Sequence, residues 1–386
     1  ARDVAARVKA GLPLGEFDAL RELLGLTVDD FVITEDDQPQ TISFVEFQRV
    51  ETPPALPQGI AAAAAIAPPA APAVVTPPTQ TQISTPPPGD ARYRDRRLLM
   101  LYFDLSATPP PDQMRAYAAA LKFIDSQMEP QDLLGVMTFG GGAVRVKQDF
   151  TNDRAVLRGV IQVLIFGEDK DGDGVADTPD MSSAFGQDDG EFNILNTDRQ
   201  LSALQTAVTM LGSLPEQKSL LYFASGLRLN GTDNQAQLRA TTNAAIRANV
   251  TLHPIDARGL VASAPLGDAT RPSPGGIGTF TGQLAQAAVT NFQRSQDTLY
   301  ALAKDTGGSA MFDYNDLSLG IVQAAKAITS YYILGYYTTH TANDGKFRRT
   351  RVSLTNGVSA DLTYRQGYFA NKEFAKFTAA DKERQL

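Results

Sequence analysis

The sequence predicts an α/β protein with a doubly wound, mostly parallel sheet and a small β-domain formed by its N- and C-terminal segments. Between Leu98 and about residue 330, strand-like runs too continuously apolar to have one wet face alternate with amphipathic helical patterns, as expected of strands covered on both faces by crossover helices. The segments before residue 50 and after residue 331 show instead the short-period pattern of half-buried strands. A stretch rich in Pro, Ala, Thr and Gln lies between the first of these and the α/β pattern, and its prolines lack the amide that a sheet ladder needs.

Residues 1–24 are weakly helical in pattern, and Leu26 to Val50 predict two short strands around the polar turn Glu35 to Gln40. Phe31 and Ile33 mark the first strand; Ile42, Phe44 and Phe47 mark the second. Residues 51–92 form a linker of polyproline character or an extended arm laid on another surface. The α/β domain is expected over 93–330, with strands at Leu98–Phe103, Leu133–Phe139, Ser219–Ala224 and Val250–Ile255 and a short candidate at Ala310–Phe312. Met114, Tyr117, Ala118, Leu121, Ile124 and Met128 recur at three- and four-residue steps and define its first helix. Further helices are expected over about 153–165, 198–211, 233–248, 295–305 and 316–330, whereas 167–196 and 258–292 fit neither period and are expected to be loop insertions. Residues 331–372 return to strands: Tyr331–Tyr337, a turn at Asn343-Asp344-Gly345 suited to a hairpin, Arg349–Leu354 and Ala360–Tyr364, before a tail at 373–386. Two strands at one end and three at the other each make a poor core, so the two ends are expected to pair.

Composition narrows the chemistry. A net charge of −8 disfavours nucleic acid as a partner. The absence of cysteine excludes disulfides, cysteine-ligated zinc and thiol nucleophiles. Two histidines, His253 and His340, leave little material for a serine triad or a two-histidine metalloprotease, so a non-enzymatic role is expected. His253, in an apolar run before Pro254, is expected in the core, and His340 in a solvated loop. Arg92, Arg94, Arg96 and Arg97 are expected to form a wet segment or intrachain salt bridges, and Gly140–Gly142 and Gly275–Gly276 lack the lysine of a phosphate loop. No run of 18 apolar residues offers a bilayer-spanning helix. The opening Ala-Arg-Asp-Val has neither the basic nor the apolar region of a secretory signal, so the chain is expected to be intracellular or already processed.

The strongest local signal lies in the first insertion. Counting Asp169 as position 1, carboxylates of Asp169, Asp171, Asp173, Asp177 and Asp180 fall at 1, 3, 5, 9 and 12, with Gly174 at 6 and the Val175 carbonyl at 7, the ligand spacing of a calcium loop. Five carboxylates so close repel one another unless a cation sits among them, and Ca²⁺ tolerates such a flexible oxygen set better than Mg²⁺. Pro179 and the lack of a following helical pattern argue against EF-hand helices. The alternative, a solvated acidic turn, leaves the glycine and the five-fold spacing unexplained. Asp188-Asp189-Gly190-Glu191 is expected to be an exposed loop, the alternative being that it contributes another ligand.

At the end of the first α/β strand stands Asp104-Leu-Ser106-Ala-Thr108, a carboxylate and two hydroxyls at the carboxyl edge, where open α/β sheets bind ligands. These residues resemble the metal-ion-dependent adhesion site of von Willebrand factor A-type (VWA) domains, which begins Asp-x-Ser-x-Ser. The segments Leu26–Phe31, Glu35–Gln40, Tyr332–Tyr336, Asp344–Phe347 and Arg365–Tyr368 are similar to flanking segments of the acidobacterial-type subfamily, so the likeness covers roughly residues 25–370. It implies a VWA/Rossmann-like fold and a site holding Mg²⁺ or Mn²⁺, completed by a threonine before the third helix, here Thr197 with Asp198 as second choice. It also implies an aspartate after the fourth strand, where this chain has Ser225. The alternative for Asp104, Ser106 and Thr108 is a helix cap and turn network. The expected role is a calcium-stabilised extracellular or cell-surface protein acting in adhesion or protein–protein binding. A self-assembling subunit that docks its Pro-rich arm or an edge strand on an identical copy is the second expectation.

Overall fold

The computed structural model describes residues 25–49, 83–85, 92–93, 96–166, 190–229, 231–260, 283–328, 330–355, 362 and 364–370. A 3₁₀ turn at Val28–Asp30 precedes strands β1 (Phe31–Glu35), β2 (Gln38–Gln40) and β3 (Ile42–Arg49). There follow β4 (Arg97–Asp104), helix α1 (Pro110–Ser126), β5 (Asp132–Gly140), β6 (Ala143–Thr151), α2 (Arg154–Phe166), α3 (Gly190–Leu211) and β7 (Lys218–Ala224). The chain continues through α4 (Gly231–Arg247), β8 (Val250–Asp256), α5 (Gln283–Thr306), α6 (Ser318–Ala327), β9 (Ser330–Tyr336), β10 (Phe347–Leu354) and β11 (Gly367–Phe369).

The five-stranded sheet has the order β6-β5-β4-β7-β8, with β4 parallel to β5 and β7, β7 parallel to β8, and β6 antiparallel at the edge. Strand β4 is central because both of its faces are apolar. Leu98, Met100 and Tyr102 join Leu201, Leu204 and Val208 of α3 in one cluster. Leu99, Leu101 and Phe103 join Phe123 and Ile124 of α1, Leu157 and Ile161 of α2 and Ile321 of α6 in the other. Each such side chain contributes about 1.5–3 kcal/mol by leaving water, so the doubly wound architecture follows from this one strand. The candidate strand at Ala310–Phe312 reduces to a single parallel bridge between Met311 and Ile255.

Three features of this body depart from the sequence expectation. Strand β6 was not foreseen, because as an edge strand it buries only Val146 and Asp149 and shows no continuous apolar run. Gly141 and Gly142, at φ 58° and 79°, form the tight turn into it, which gives the glycine run a hairpin role. Helices α3 and α5 begin at Gly190 and Gln283, inside the spans expected to be loops. Their apolar period is legible only where they reach the sheet, from Leu201 in α3 and from Leu299 in α5.

The terminal segments pair as expected, in two antiparallel sheets ordered β11-β10-β1-β2 and β3-β9. Phe31, Ile33, Tyr332, Leu334, Tyr336 and Val352 form their shared core. Asp36 and Asp37, at φ 48° and 64°, make the turn into β2, a strand hidden by Pro39, which only a sheet edge accommodates. The turn at Asn343–Gly345 does not close a hairpin: β9 pairs with β3 and β10 with β1, since the N-terminal strands supply the apolar partners. The last strand is Gly367–Phe369; Leu362 and Tyr364, from the span expected to be that strand, lie outside any strand. Glu35, fully buried, accepts hydrogen bonds from Tyr336 Oη at 2.9 Å, Tyr368 Oη at 3.1 Å and Thr338 Oγ1 at 2.6 Å. His340 Nδ1 lies 3.4 Å from the same carboxylate, so this histidine is half-buried against Glu35 instead of free in solvent.

Among the described residues, the Pro-rich stretch and the C-terminal segment both reach the α/β body. Ile83 of the Pro-rich stretch is buried, and the Ser84 amide donates to Asp149 Oδ2 of β6 at 3.0 Å. Arg365, buried beside Gly307, donates to the Ile246 carbonyl at 3.4 Å and Asn249 Oδ1 at 3.3 Å, and burial lowers its guanidinium to about 10. Nearby, Lys218 is buried with Nζ donating to the Leu214 carbonyl at 2.5 Å. Burial lowers this ammonium from 10.5 to about 8, with Glu216 opposing the shift and Arg365 adding to it.

A group whose folded value is depressed is penalised fully below that value and not at all above its unfolded one. Stability is therefore expected to rise by about 3 kcal/mol between pH 8 and 10.5 through Lys218. Urea midpoints at pH 7.5 and pH 10 check this: Lys218→Met is expected to remove the rise, and a rise as large as in the unsubstituted chain would contradict the assignment.

Candidate functional site

The strand order reverses between β4 and β7, since β4 leads through α1 to β5 on one side while β7 lies on the other. Crevices at the carboxyl ends of such strands are where open α/β sheets place ligands. Asp104 is the last residue of β4 and Ser225 follows β7. Ser106 and Thr108 lie in the turn before α1, and Asp256 ends β8.

Asp104 is 1% exposed and accepts four hydrogen bonds. Its Oδ1 takes the Ser106 amide at 3.0 Å and the Ser106 hydroxyl at 2.6 Å. Its Oδ2 takes Gln200 Nε2 of α3 at 2.8 Å and the Tyr222 hydroxyl of β7 at 3.0 Å. Burial raises the carboxyl above its ordinary value, and the bonds from Ser106, Gln200 and Tyr222 pull it back down. Tyr222 is in parallel register with Tyr102, their ring centroids 5.6 Å apart. Burial, then the Asp104 charge, pushes both phenols well up, so Tyr222 keeps the proton it donates to Asp104, while the buried Tyr102 hydroxyl has no partner among the described residues.

The other residues expected at the site look elsewhere. Thr197 lies within α3 instead of in a loop before it, and its hydroxyl donates to the Arg228 carbonyl at 2.7 Å. Asp198 accepts from Asn234 Nδ2 at 2.6 Å. The Ser225 hydroxyl donates to Asp112 Oδ2 at 2.6 Å, and Arg115 pairs with the other oxygen of that carboxylate. Thr108 Oγ1 is buried and has no partner among the described residues. Asp256 is held by Arg258 through Nε at 2.8 Å and Nη2 at 2.7 Å, and the guanidinium lies 4.1 Å over the Phe292 ring. The acidic stretch Asp169, Asp171, Asp173, Val175, Asp177 and Asp180 lies outside the described residues, as does Asp188-Asp189.

An ionised carboxylate has about four lone-pair sites, and at Asp104 protein donors take all four. A divalent ion needs free oxygen lone pairs and negative charge. Asp104 offers neither spare acceptors nor a second carboxylate, because Ser225 is neutral and Asp112 is already matched by Arg115. The unpartnered Thr108 hydroxyl supplies no charge. The residues at this edge therefore fit Mg²⁺ or Mn²⁺ poorly, and no group of three or more potential His, Asp or Glu ligands occurs among the described residues.

Gln200, Tyr222, Asp112 and Asp256 were not identified from the sequence. Tyr222 did carry a signal, since it and Tyr102 are polar-tipped residues inside the apolar runs of two strands, each near a carboxyl end. His253 is a satisfied core residue: the Ser309 amide donates to Nδ1 at 3.3 Å and Nε2 faces Ser219 Oγ at 3.3 Å. Of the two expectations for the arginines, Arg97 follows the salt-bridge one: it is buried and pairs with Asp132 and Glu129, both at 2.6 Å.

No protein-family model matches the chain, and no curated protein sequence does. Among solved structures, the chain is similar to an aerotolerance-related membrane protein from Bacteroides fragilis NCTC 9343 with multiple mutations to serine. That likeness has 11% identity and a TM-score of 0.36, over 60% of this chain and 98% of that one. The SpRpn10 VWA domain matches at 13% identity and TM-score 0.32, over 58% and 94% of the two chains. The pilus adhesin SpaC from Lactobacillus rhamnosus GG matches at 10% identity and TM-score 0.33, over 72% of this chain and 44% of that one. At these values the likeness carries no argument about activity, and the fold stands on the sheet topology.

Removing one donor from a buried charged acceptor costs about 1.5–3 kcal/mol, so Tyr222→Phe is expected to destabilise the protein by that amount at pH 7. The substitution raises the folded Asp104 value further. A raised carboxyl loses stability as pH climbs through its folded value, so the gap between Tyr222→Phe and the unsubstituted chain should shrink toward pH 4. Equal gaps at pH 4 and pH 7 in chemical denaturation would show that the hydroxyl does not stabilise the charge.

Proposed function

We propose that the chain is a VWA-type protein-binding module, on the acidobacterial-type pattern of its flanking segments, that acts in adhesion or assembly outside the cell and catalyses no reaction. The carboxyl edge of the five-stranded sheet, at the reversal between β4 and β7, is the observation that carries this reading. There the turns after β4, β7 and β8 present a surface whose buried charges are internally matched, Asp104 by its four donors, Asp112 by Arg115 and Asp256 by Arg258. Such a surface is pre-organised, and pre-organisation lowers the entropy lost on binding a partner.

Calcium completes the proposal. The Asp169–Asp180 loop precedes α3, the helix that carries Gln200 to Asp104. A Ca²⁺ ion among its carboxylates would offset their repulsion and fix the entry to that helix. Millimolar calcium outside cells suits such a loop. Chelation is expected to lower the melting temperature and increase proteolysis between Gly167 and Asn196. Metal analysis should find calcium in Asp104→Ala and lose it in Asp171→Ala; a chain whose melting temperature and cleavage are unmoved by chelator has no such site.

The seating of Ile83 and Ser84 against β6 favours the self-assembly reading as a second one, because it makes the Pro-rich stretch a docking element. In that reading the arm of one copy occupies β6 of the next. Deleting residues 52–89 discriminates by light scattering: an assembly subunit is expected to lose its polymers, and a partner-binding monomer to remain unchanged in size.

A further inference from the structure

We propose that the Asp104 node is ion-independent: the Tyr222 hydroxyl and the Gln200 amide occupy the carboxylate positions that a divalent cation would need, and hydrogen bonds from protein donors satisfy this carboxylate in place of a metal. Both donors converge on Oδ2, at 3.0 and 2.8 Å, while Ser106 saturates Oδ1 through its amide and hydroxyl. An ion could reach Asp104 only by displacing one of these donors, and each that it displaced would be left buried without an acceptor. Among the described residues no free carboxylate compensates, since Ser225 is neutral and its hydroxyl donates a hydrogen bond to Asp112, which Arg115 also pairs.

The replacement is built into the fold. Tyr222 lies beside Tyr102 in register, so the strand pairing aims its hydroxyl two residues forward along β4, at Asp104. Gln200 is one helical turn beyond Thr197, on the face of α3 that packs on the sheet, and both residues are buried. Three elements, β4, β7 and α3, thus meet at one carboxylate. The consequence is that the shape of this edge does not depend on the concentration of divalent ions, and any effect of chelator belongs to the Asp169 loop. The inference does not rest on the partner-binding role.

The full chain carrying Asp171→Ala and Asp173→Ala, which silence the acidic loop, is titrated with Mn²⁺ and the free ion is followed by electron paramagnetic resonance. No saturable site that depends on Asp104 is expected. In the same background, Tyr222→Phe with Ser225→Asp frees one acceptor position and restores a carboxylate. This variant is expected to gain one saturable Mn²⁺ site that Asp104→Asn removes. Mn²⁺ binding by the loop-silenced parent that disappears on Asp104→Asn would overturn the proposal. So would a folded paired variant, by circular dichroism, that binds no Mn²⁺. Should Tyr222→Phe prevent folding, Gln200→Ala with Ser225→Asp frees the same oxygen without changing the β7 core and is judged by the same two outcomes. Loss of calcium by the loop variants bears on the partner-binding reading alone, so the two can fail separately.

Discussion

A carboxylate at the carboxyl end of a fully buried strand must find a donor for each lone pair or lose its charge, and this requirement organises the edge of the protein. Asp104 cannot turn to solvent, because β4 is flanked by β5 and β7 and covered on both faces. Its four donors come from the following turn, from β7 and from α3. The relative positions of those elements are therefore set by one side chain as well as by the apolar clusters around it. Apolar packing is tolerant of small sliding, whereas a network of directional bonds at 2.6–3.0 Å is not.

The same requirement separates what the sequence discloses from what it hides. Strand β4 is legible because each of its residues, alternate ones facing opposite layers, is buried, which writes a continuous apolar run. Strand β6 is hidden because an edge strand needs only a few buried residues, and β2 because a proline is tolerated where no neighbour follows. Asp104 could be picked out by position, at the end of a strand before a helix. Its partners could not, because Gln200 and Tyr222 are 96 and 118 residues away and only the strand order brings them near. Thr197, expected in a loop before the third helix, lies within α3, because the helix begins earlier than its apolar period, and its hydroxyl donates to the Arg228 carbonyl.

In the terminal β-sheets, long-range pairing solves a different problem. Neither terminal segment has enough apolar surface for its own core, and Phe31 and Ile33 from one end pack with Tyr332, Leu334 and Val352 from the other. Glu35 is buried in that assembly with two tyrosine hydroxyls and a threonine hydroxyl on it, all from the C-terminal segment. A buried carboxylate whose partners among the described residues are some 300 residues away makes incorrect pairing costly. It specifies which ends belong together in a way that apolar contact does not.

The distribution of buried charge follows from the polarity of a parallel sheet. Helices α1, α3 and α4 run antiparallel to the parallel strands that they precede or follow, so their N-termini lie toward the carboxyl edge and their C-termini toward the amino edge, whereas α2, which follows the antiparallel strand β6, runs the other way. Unpaired carbonyls at the C-termini attract cations. Arg365 meets the Ile246 carbonyl at the end of α4, Lys218 meets the Leu214 carbonyl just beyond α3, and Arg154 meets the Asp125 carbonyl in the last turn of α1. At the opposite edge stand Asp104, Asp112 and Asp256, with Asp112 in the first turn of α1. The edge that gathers carboxylates does so because the backbone there is positive, which needs no ion. Aspartates at the mouth of such a sheet are thus weak evidence for a metal until their hydrogen bonds have been counted, whereas five carboxylates within twelve residues of sequence, from Asp169 to Asp180, repel one another whatever the helix termini do.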